Sequence, residues 1–261
     1  MPVAVKCAYE GSRFEGSQTQ PHGRTVEDAL QRALRKIEAG QRVALASRTD
    51  AGVSALGNVF LMKKPVPLGR LNSELDGIIC HSAGDAPSPF NPRLAASRWY
   101  RYVLPDEMLP PGGAAAFGSA LLLFRGEHDF AAFCREKRRS TKTKVDEVSV
   151  DRSCGSLLID IRGGYFLRNQ VRFMVGAAVL AARKGEHGWI AESLASGKRV
   201  AATEPAPPEG LILMDVAYDS ISFAPDWTPS AKLRSEMLGA LASSAAGAEW
   251  TRSFLSMVSG R

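Results

Sequence analysis

The stretch from Val43 to Leu61 constrains this chain more than any other. Val43-Ala-Leu-Ala46 is a short apolar run that reads as a strand. Ser47-Arg-Thr-Asp-Ala-Gly52 then breaks it with turn formers, and Asn58-Val-Phe-Leu61 reads as the next strand. Asp50 therefore sits on a loop held between two strands, with Gly52 free to take positive φ. Arg48 lies two residues ahead of this carboxylate, near enough to pair with it or to frame the same pocket. Loops carried on rigid scaffolds are where binding and catalytic groups concentrate. Turn chemistry alone leaves two readings open: an ordinary Asp-Ala-Gly turn, or a catalytic carboxylate.

The rest of the chain can support such a scaffold. Its 261 residues suffice for one large domain or two of ordinary size, and 45% are apolar. A formal net charge of +6 is compatible with a polyanionic partner. Cys7, Cys80, Cys134 and Cys154, and the histidines at 22, 81, 128 and 187, are scattered without zinc-ligand spacing. The expectation is reduced, mostly buried thiols and no structural metal. The sequence shows no basic-then-apolar leader, and no apolar run approaches the roughly 20 residues that span a bilayer, so the expected location is cytoplasmic.

Val3, Val5, Cys7 and Tyr9 alternate as in a half-buried strand, followed by the loop Glu10 to Gln18. Thr25-Val-Glu-Asp28 has the form of a capping box. The positions Val26, Ala29, Leu30, Ala33, Leu34 and Ile37 predict a helix that Gly40 ends, with Arg32, Arg35 and Lys36 off the apolar stripe. Leu68, Leu71 and Leu75 suggest a short helix, and Ile78 to Ala83 a strand. Arg98-Trp-Tyr-Arg-Tyr-Val103 predicts a strand with Arg98, Tyr100 and Tyr102 on one face and Trp99, Arg101 and Val103 on the other. Its plain reading is aromatic core with solvated arginines; its functional reading is a pocket wall offering a ring for a base and guanidinium groups for phosphates. Pro105 to Ala116 reads as a domain boundary and Gly118 to Arg125 as a short helix. His128 and Asp129 read as turn-holding residues. Arg135 to Lys144 reads as a basic loop able to meet an RNA backbone through Arg138, Arg139 and Lys142. Two strands follow, at Val145–Asp151 and Ser156–Arg162. Phe166 to Gly176 opens a long helix striped by Leu167, Val171, Met174, Val175, Ala178 and Val179, with Arg168 and Arg172 four apart on one face. Gly188 to Ser196 reads as a helix and Leu211 to Tyr218 as a buried strand. Lys232 to Ala246 has helical composition.

Arg48-Thr-Asp-Ala-Gly-Val53 resembles the signature of the TruA family of tRNA pseudouridine synthases, whose catalytic residue is the aspartate of this motif. Other segments match that family in order between about residues 3 and 218. Tyr9, Gly11, Gly16 and Gln18 resemble its loop after the first strand. Phe90-Asn-Pro-Arg93 with Arg98 to Tyr102 resembles its aromatic-basic block, and Gly126 to Phe133 its Gly-x-His/Asn-Asp-Phe turn. The helix bearing Arg172 and the strand opening with Leu211 complete the set.

The resemblance implies an α/β (α+β) fold of two similar subdomains, their mixed, mostly antiparallel sheets joined across a central RNA-binding cleft with helices packed on the sheets. The expected division is 1–104, 105–223 and a helical tail of unassigned function at 224–261. It implies an isomerase that converts uridine to pseudouridine at positions 38 to 40 of the anticodon stem-loop of tRNA, acting as a homodimer. The reaction has no redox step and loses no group, so it implies no cofactor and no metal. By the same resemblance Asp50 is the nucleophile, toward C1′ or the uracil ring. Arg48 holds the flipped nucleotide or fills its place, Tyr100 stacks on the uracil, and Arg172 keeps the carboxylate ionised. Arg93, Arg98, Arg168 and Leu211 join Arg138, Arg139 and Lys142 as the expected substrate contacts. The chain departs from the family pattern at Ser17 (tryptophan), Ser47 (glycine), Ser54 (histidine), Asn58 (glutamine) and Gln170 (methionine). A protein of the same fold that only binds tRNA is the alternative.

Overall fold

The computed structural model describes residues 1–21, 23–135, 140–153, 155–225 and 245–259. Its strands are β1 (Val3–Tyr9), β2 (Ser54–Met62), β3 (Ile78–Asp85), β4 (Ser97–Pro105), β5 (Gly126–Asp129), β6 (Lys142–Val145), β7 (Glu147–Ser153), β8 (Ser156–Gly163), β9 (Leu211–Ala217) and β10 (Ala224–Pro225). Its helices are α1 (Val26–Lys36), α2 (Leu68–Asn72), α3 (Ala114–Leu122), α4 (Gln170–Lys184), α5 (Gly188–Ser196) and α6 (Ala245–Ser259). Two compact units form, Met1–Ala96 with Ile212–Arg261, and Ser97–Leu211. Helices and mixed, mostly antiparallel sheets make the fold α+β, as expected.

In the first unit the strand order is β10-β3-β1-β2-β9. β1 pairs antiparallel with β2, Val5 opposite Phe60, and with β3, Val5 opposite Ala83. β9 joins β2 in parallel, Ser54 opposite Ile212. β2 is buried on both faces, and α6 packs against it. The start of α1 follows the sequence: the Thr25 hydroxyl accepts from the Asp28 N–H and donates to its carboxylate at 2.6 Å. Its end does not. Glu38, at φ 60°, takes the left-handed position, and the Glu38 and Ala39 N–H groups donate back to Arg35 and Leu34. The helix thus closes at Lys36, ahead of Gly40.

The second unit holds an antiparallel sheet, β4-β8-β7, and the β5–β6 hairpin. α3 packs on α4, which buries Val171, Phe173, Met174, Val175, Ala177, Ala178 and Val179. Gly185 at φ 68° ends α4.

Several expectations need correction. Val43–Ala46 is no strand but a single bridge, Leu45 to Phe60. Side chains of α1 take two of its N–H groups, Val43 donating to Gln31 and Leu45 to Glu27, while Ala46 N donates to Val59 O of β2. Asp50 still sits on the loop leading into β2, which is longer than expected. α3 begins at Ala114, where three alanines favour helix. Lys142 and Lys144 lie in β6, because they pair with Asp129 and Glu127 of β5 across the hairpin. α4 starts at Gln170, since Asn169 at φ 62° breaks the helical backbone just before it. Arg168 therefore precedes the helix and does not share a face with Arg172. The units part at Ala96/Ser97 and Leu211/Ile212. The cuts follow strand pairing: β4 pairs along its length with β8, and β9 pairs with β2. Of the helical stretch expected from Lys232, residues 232–244 lie outside the described residues; Ala245 begins α6.

Cys7, Cys80 and Cys134 are buried, and burial pushes the Cys7 and Cys80 thiols up; Cys154 lies outside the described residues. Among the described residues no helix is long and apolar enough to cross a membrane, and no cluster of potential metal ligands occurs.

Candidate active site

The loop bearing Asp50 is fastened on both sides. Ahead of it, Ser47 and Asn58 exchange two hydrogen bonds: Ser47 N donates to Asn58 Oδ1 at 3.1 Å, and Asn58 Nδ2 donates to Ser47 O at 2.9 Å. Thr49 and Ser17 do likewise, Thr49 N to Ser17 Oγ at 2.8 Å and Ser17 N to Thr49 O at 3.0 Å. After it, Val53 N closes a turn onto Asp50 O, and Gly11 N donates to Ser54 Oγ. Gly11 lies so close to Gly52 that a Cβ there would stand 2.4 Å from the Gly52 carbonyl. Such contact demands glycine. Asp50 is half-buried and Arg48 exposed.

Beside this loop lies a groove of about 680 Å³, whose lining includes Gln18, Gln31, Arg35, Gln41, Arg42 and Arg93. The three arginines are exposed and come from α1, the segment after it, and the loop after β3. Glu27 also lines the groove, but its buried carboxylate accepts from Thr19 N and Leu45 N, which holds the walls together.

The second unit carries Tyr100, Arg98, Arg168, Arg172 and Leu211. Tyr100 lies on the buried face of β4, opposite Ile161 and edge-on to Phe166 at 5.4 Å between centroids. The same face carries Arg98, which is only 5% exposed and donates to the Gly164 carbonyl. The plain reading of solvated arginines thus fails for Arg98. Arg101 is half-buried too, because Asp160 takes both its Nε and Nη2 donors at 2.8 and 2.7 Å.

Arg172, in the first turn of α4, is fixed by the loop before β9. Its Nε donates to Ala206 O at 2.7 Å, while Ala206 N donates to Arg172 O at 2.9 Å. Gly176 allows this approach, since a Cβ there would meet the Glu204 carbonyl at 2.0 Å. The Tyr102 hydroxyl donates to Pro207 O beneath the same loop, and burial pushes its pKa up. Leu211 is buried, Arg168 exposed.

A family model described as tRNA pseudouridine synthase matches residues 120–219. Curated relatives extend the match along the chain. A tRNA pseudouridine synthase A of Pyrococcus furiosus is 35% identical over 91% of each chain. That of Pyrococcus abyssi is 38% identical over 85% of this chain and 87% of its own. That of Geotalea daltonii is 36% identical over 80% and 96%. The chain belongs to the TruA family of tRNA pseudouridine synthases.

For this TruA-family chain, Arg48 and Asp50 lie in the first unit and Tyr100 and Arg172 in the second. Arg93 falls on the groove of the first unit. Lys142 is exposed at the start of β6, whereas Arg138 and Arg139 lie outside the described residues. The sequence reading names Tyr9 as a match to the family and Asn58 as a departure from it, but gives neither a part in fastening the Asp50 loop; Glu27, which ties Thr19 to Leu45, it leaves without a role. The signal for Asn58 is visible afterwards: an amide inside an otherwise apolar strand must find partners or incur a penalty. Gln170 is a similar case. It is fully buried, accepts from Leu167 N at 2.8 Å and donates to Thr143 Oγ1 at 3.1 Å, joining β6 to the turn before α4.

Proposed function

We propose that this protein isomerises uridine to pseudouridine in tRNA, at positions 38 to 40 of the anticodon stem-loop or a subset of them. Identity of 35% along 91% of both chains to a tRNA pseudouridine synthase A carries this reading. In the proposed reaction the target uridine leaves the stack, at a cost of a few kcal/mol. Asp50 is the nucleophile that breaks the N1–C1′ bond, toward C1′ or the uracil ring. The uracil turns, C5 joins C1′, N1 gains a proton and the C5 proton leaves. Arg48 holds the flipped nucleotide or fills its place, Tyr100 stacks on the uracil, and Arg172 is a further catalytic residue. Arg98 and Leu211, both buried, serve as wall rather than as backbone grips.

The RNA backbone meets the exposed cations. Arg35, Arg42 and Arg93 around the groove supply three guanidinium groups, with glutamine amides between them. Arg168, Lys142, Arg138 and Arg139 are proposed as further contacts. The enzyme acts in the cytoplasm as a homodimer.

Incubating the protein with an unmodified tRNA transcript and mapping pseudouridine by mass spectrometry tests this reading. Pseudouridine at one or more of positions 38 to 40 is expected. Bound but unmodified tRNA would instead assign a binding protein of the same fold.

A further inference from the structure

We infer that Tyr9, Asn58, Thr49 and Ser17 form a buried bracket that sets the position of the Asp50 carboxylate, and that they are positioning residues for isomerisation. The inference rests on the reading of Asp50 as the nucleophile. These side chains come from four places: the end of β1, the middle of β2, the loop entering α1 and the Asp50 loop itself. All converge on residues 47 to 49. Tyr9 is 1% exposed, Asn58 and Ser17 0%, and Thr49 7%.

Asn58 is the centre of the bracket. Its Oδ1 accepts from Ser47 N and Val59 N at 3.1 and 3.0 Å, and its Nδ2 donates to Ser47 O and Tyr9 Oη at 2.9 and 3.0 Å. An amide side chain has two donors and two acceptor lone pairs, and here all are used. Two backbone N–H groups at Oδ1 fix which way the amide points. The Tyr9 hydroxyl, held by Asn58, shares a 2.9 Å hydrogen bond with Thr49 Oγ1. Thr49 is thereby gripped through its side chain by Tyr9 and through its backbone by Ser17. Asp50 is the next residue.

A backbone fixed at 47 and 49, with the Thr49 side chain held as well, leaves the chain entering Asp50 little freedom. Gly11 packed on Gly52 restrains the exit. A nucleophile held this way meets its target without first being ordered, and a misplacement of about 1 Å can cost about 100-fold in rate. Ser17, Ser47 and Asn58, three of the chain's departures from the family pattern, are all members of this arrangement.

The test uses the whole chain in saturating excess over tRNA. Single-turnover tritium release, tRNA affinity and thermal unfolding are measured for Tyr9→Phe, Thr49→Val, Thr49→Ser and the Tyr9→Phe/Thr49→Val pair. Tyr9→Phe and Thr49→Val should each lower the rate by about 10- to 100-fold, with affinity within about twofold. The double variant should fall no further than the worse single one, because both remove the same bond. Thr49→Ser, which keeps the hydroxyl, should retain the rate. A normal rate per folded molecule, losses that multiply, or a loss of affinity alone would overturn the inference. If Tyr9→Phe does not fold, Thr49→Val against Thr49→Ser makes the same comparison. Asp50→Asn is measured alongside. If it keeps turnover, the nucleophile reading fails and the bracket with it. If it is inactive while the bracket variants keep full rate, only the bracket fails.

Discussion

At the scale of single residues, the sequence carries chemistry better than support. Asp50, Arg48, Tyr100 and Arg172 stand in motifs, and short motifs survive in a linear reading. The positioning proposed for Asp50 is not legible in the same way, because Tyr9 and Asn58 reach residues 47 to 49 only after the strands pair. Tyr100 shows what can still be separated. Its ring is fixed edge-on to Phe166 at 5.4 Å, and Tyr100→Phe keeps that contact while removing the hydroxyl. If the ring stacks on uracil, Tyr100→Ala should cost about 1–3 kcal/mol, roughly 5- to 150-fold in kcat/KM, and Tyr100→Phe much less. Equal losses in the two variants would place the catalytic contribution in the hydroxyl and so in proton transfer.

At the scale of elements, periodicity finds helices and strands but not their ends. The α4 stripe is plain in the sequence, since Val171, Met174, Val175, Ala178 and Val179 recur at helical spacing and are all buried. Its start is not plain, because one left-handed asparagine decides it. The same limit applies to Val43–Ala46, where α1 side chains take two of the N–H groups that a strand partner would take. Glycines inside helices offer a sharper test of packing. Gly176 in α4 faces the Glu204 carbonyl, whereas a Cβ at Gly118 in α3 would meet nothing within 4 Å. Alanine has the higher helix propensity, by about 1 kcal/mol. Gly118→Ala should therefore stabilise by up to about 1 kcal/mol. Gly176→Ala should destabilise by about 1–3 kcal/mol, because the added methyl must displace the loop that holds Arg172. Denaturant unfolding reads both. Stabilisation by Gly176→Ala would show that the loop does not seat on α4.

At the scale of the whole molecule, a net charge of +6 attracts RNA without saying where it binds. The sequence points to the run from Arg135 to Lys144, since adjacent cations are easy to see. The structure adds a second basic region, in which Arg93 joins Arg35 and Arg42 from about 50 residues further along the chain. Each phosphate contact releases condensed counterions, so the two regions can be told apart by salt. Losing one contact flattens the slope of log affinity against log salt by about 0.7–0.9. If all three groove arginines touch phosphates, Arg35→Ala/Arg42→Ala/Arg93→Ala should flatten the slope by about 2–3. Single-turnover isomerisation with the protein in saturating excess over tRNA should change little, because backbone contacts position the RNA and none of the three is assigned to the uracil. The matched variant Arg138→Ala/Arg139→Ala/Lys142→Ala measures the other region in the same way. An unchanged slope in the first variant with a flattened one in the second would move the RNA backbone away from the groove and onto the basic run.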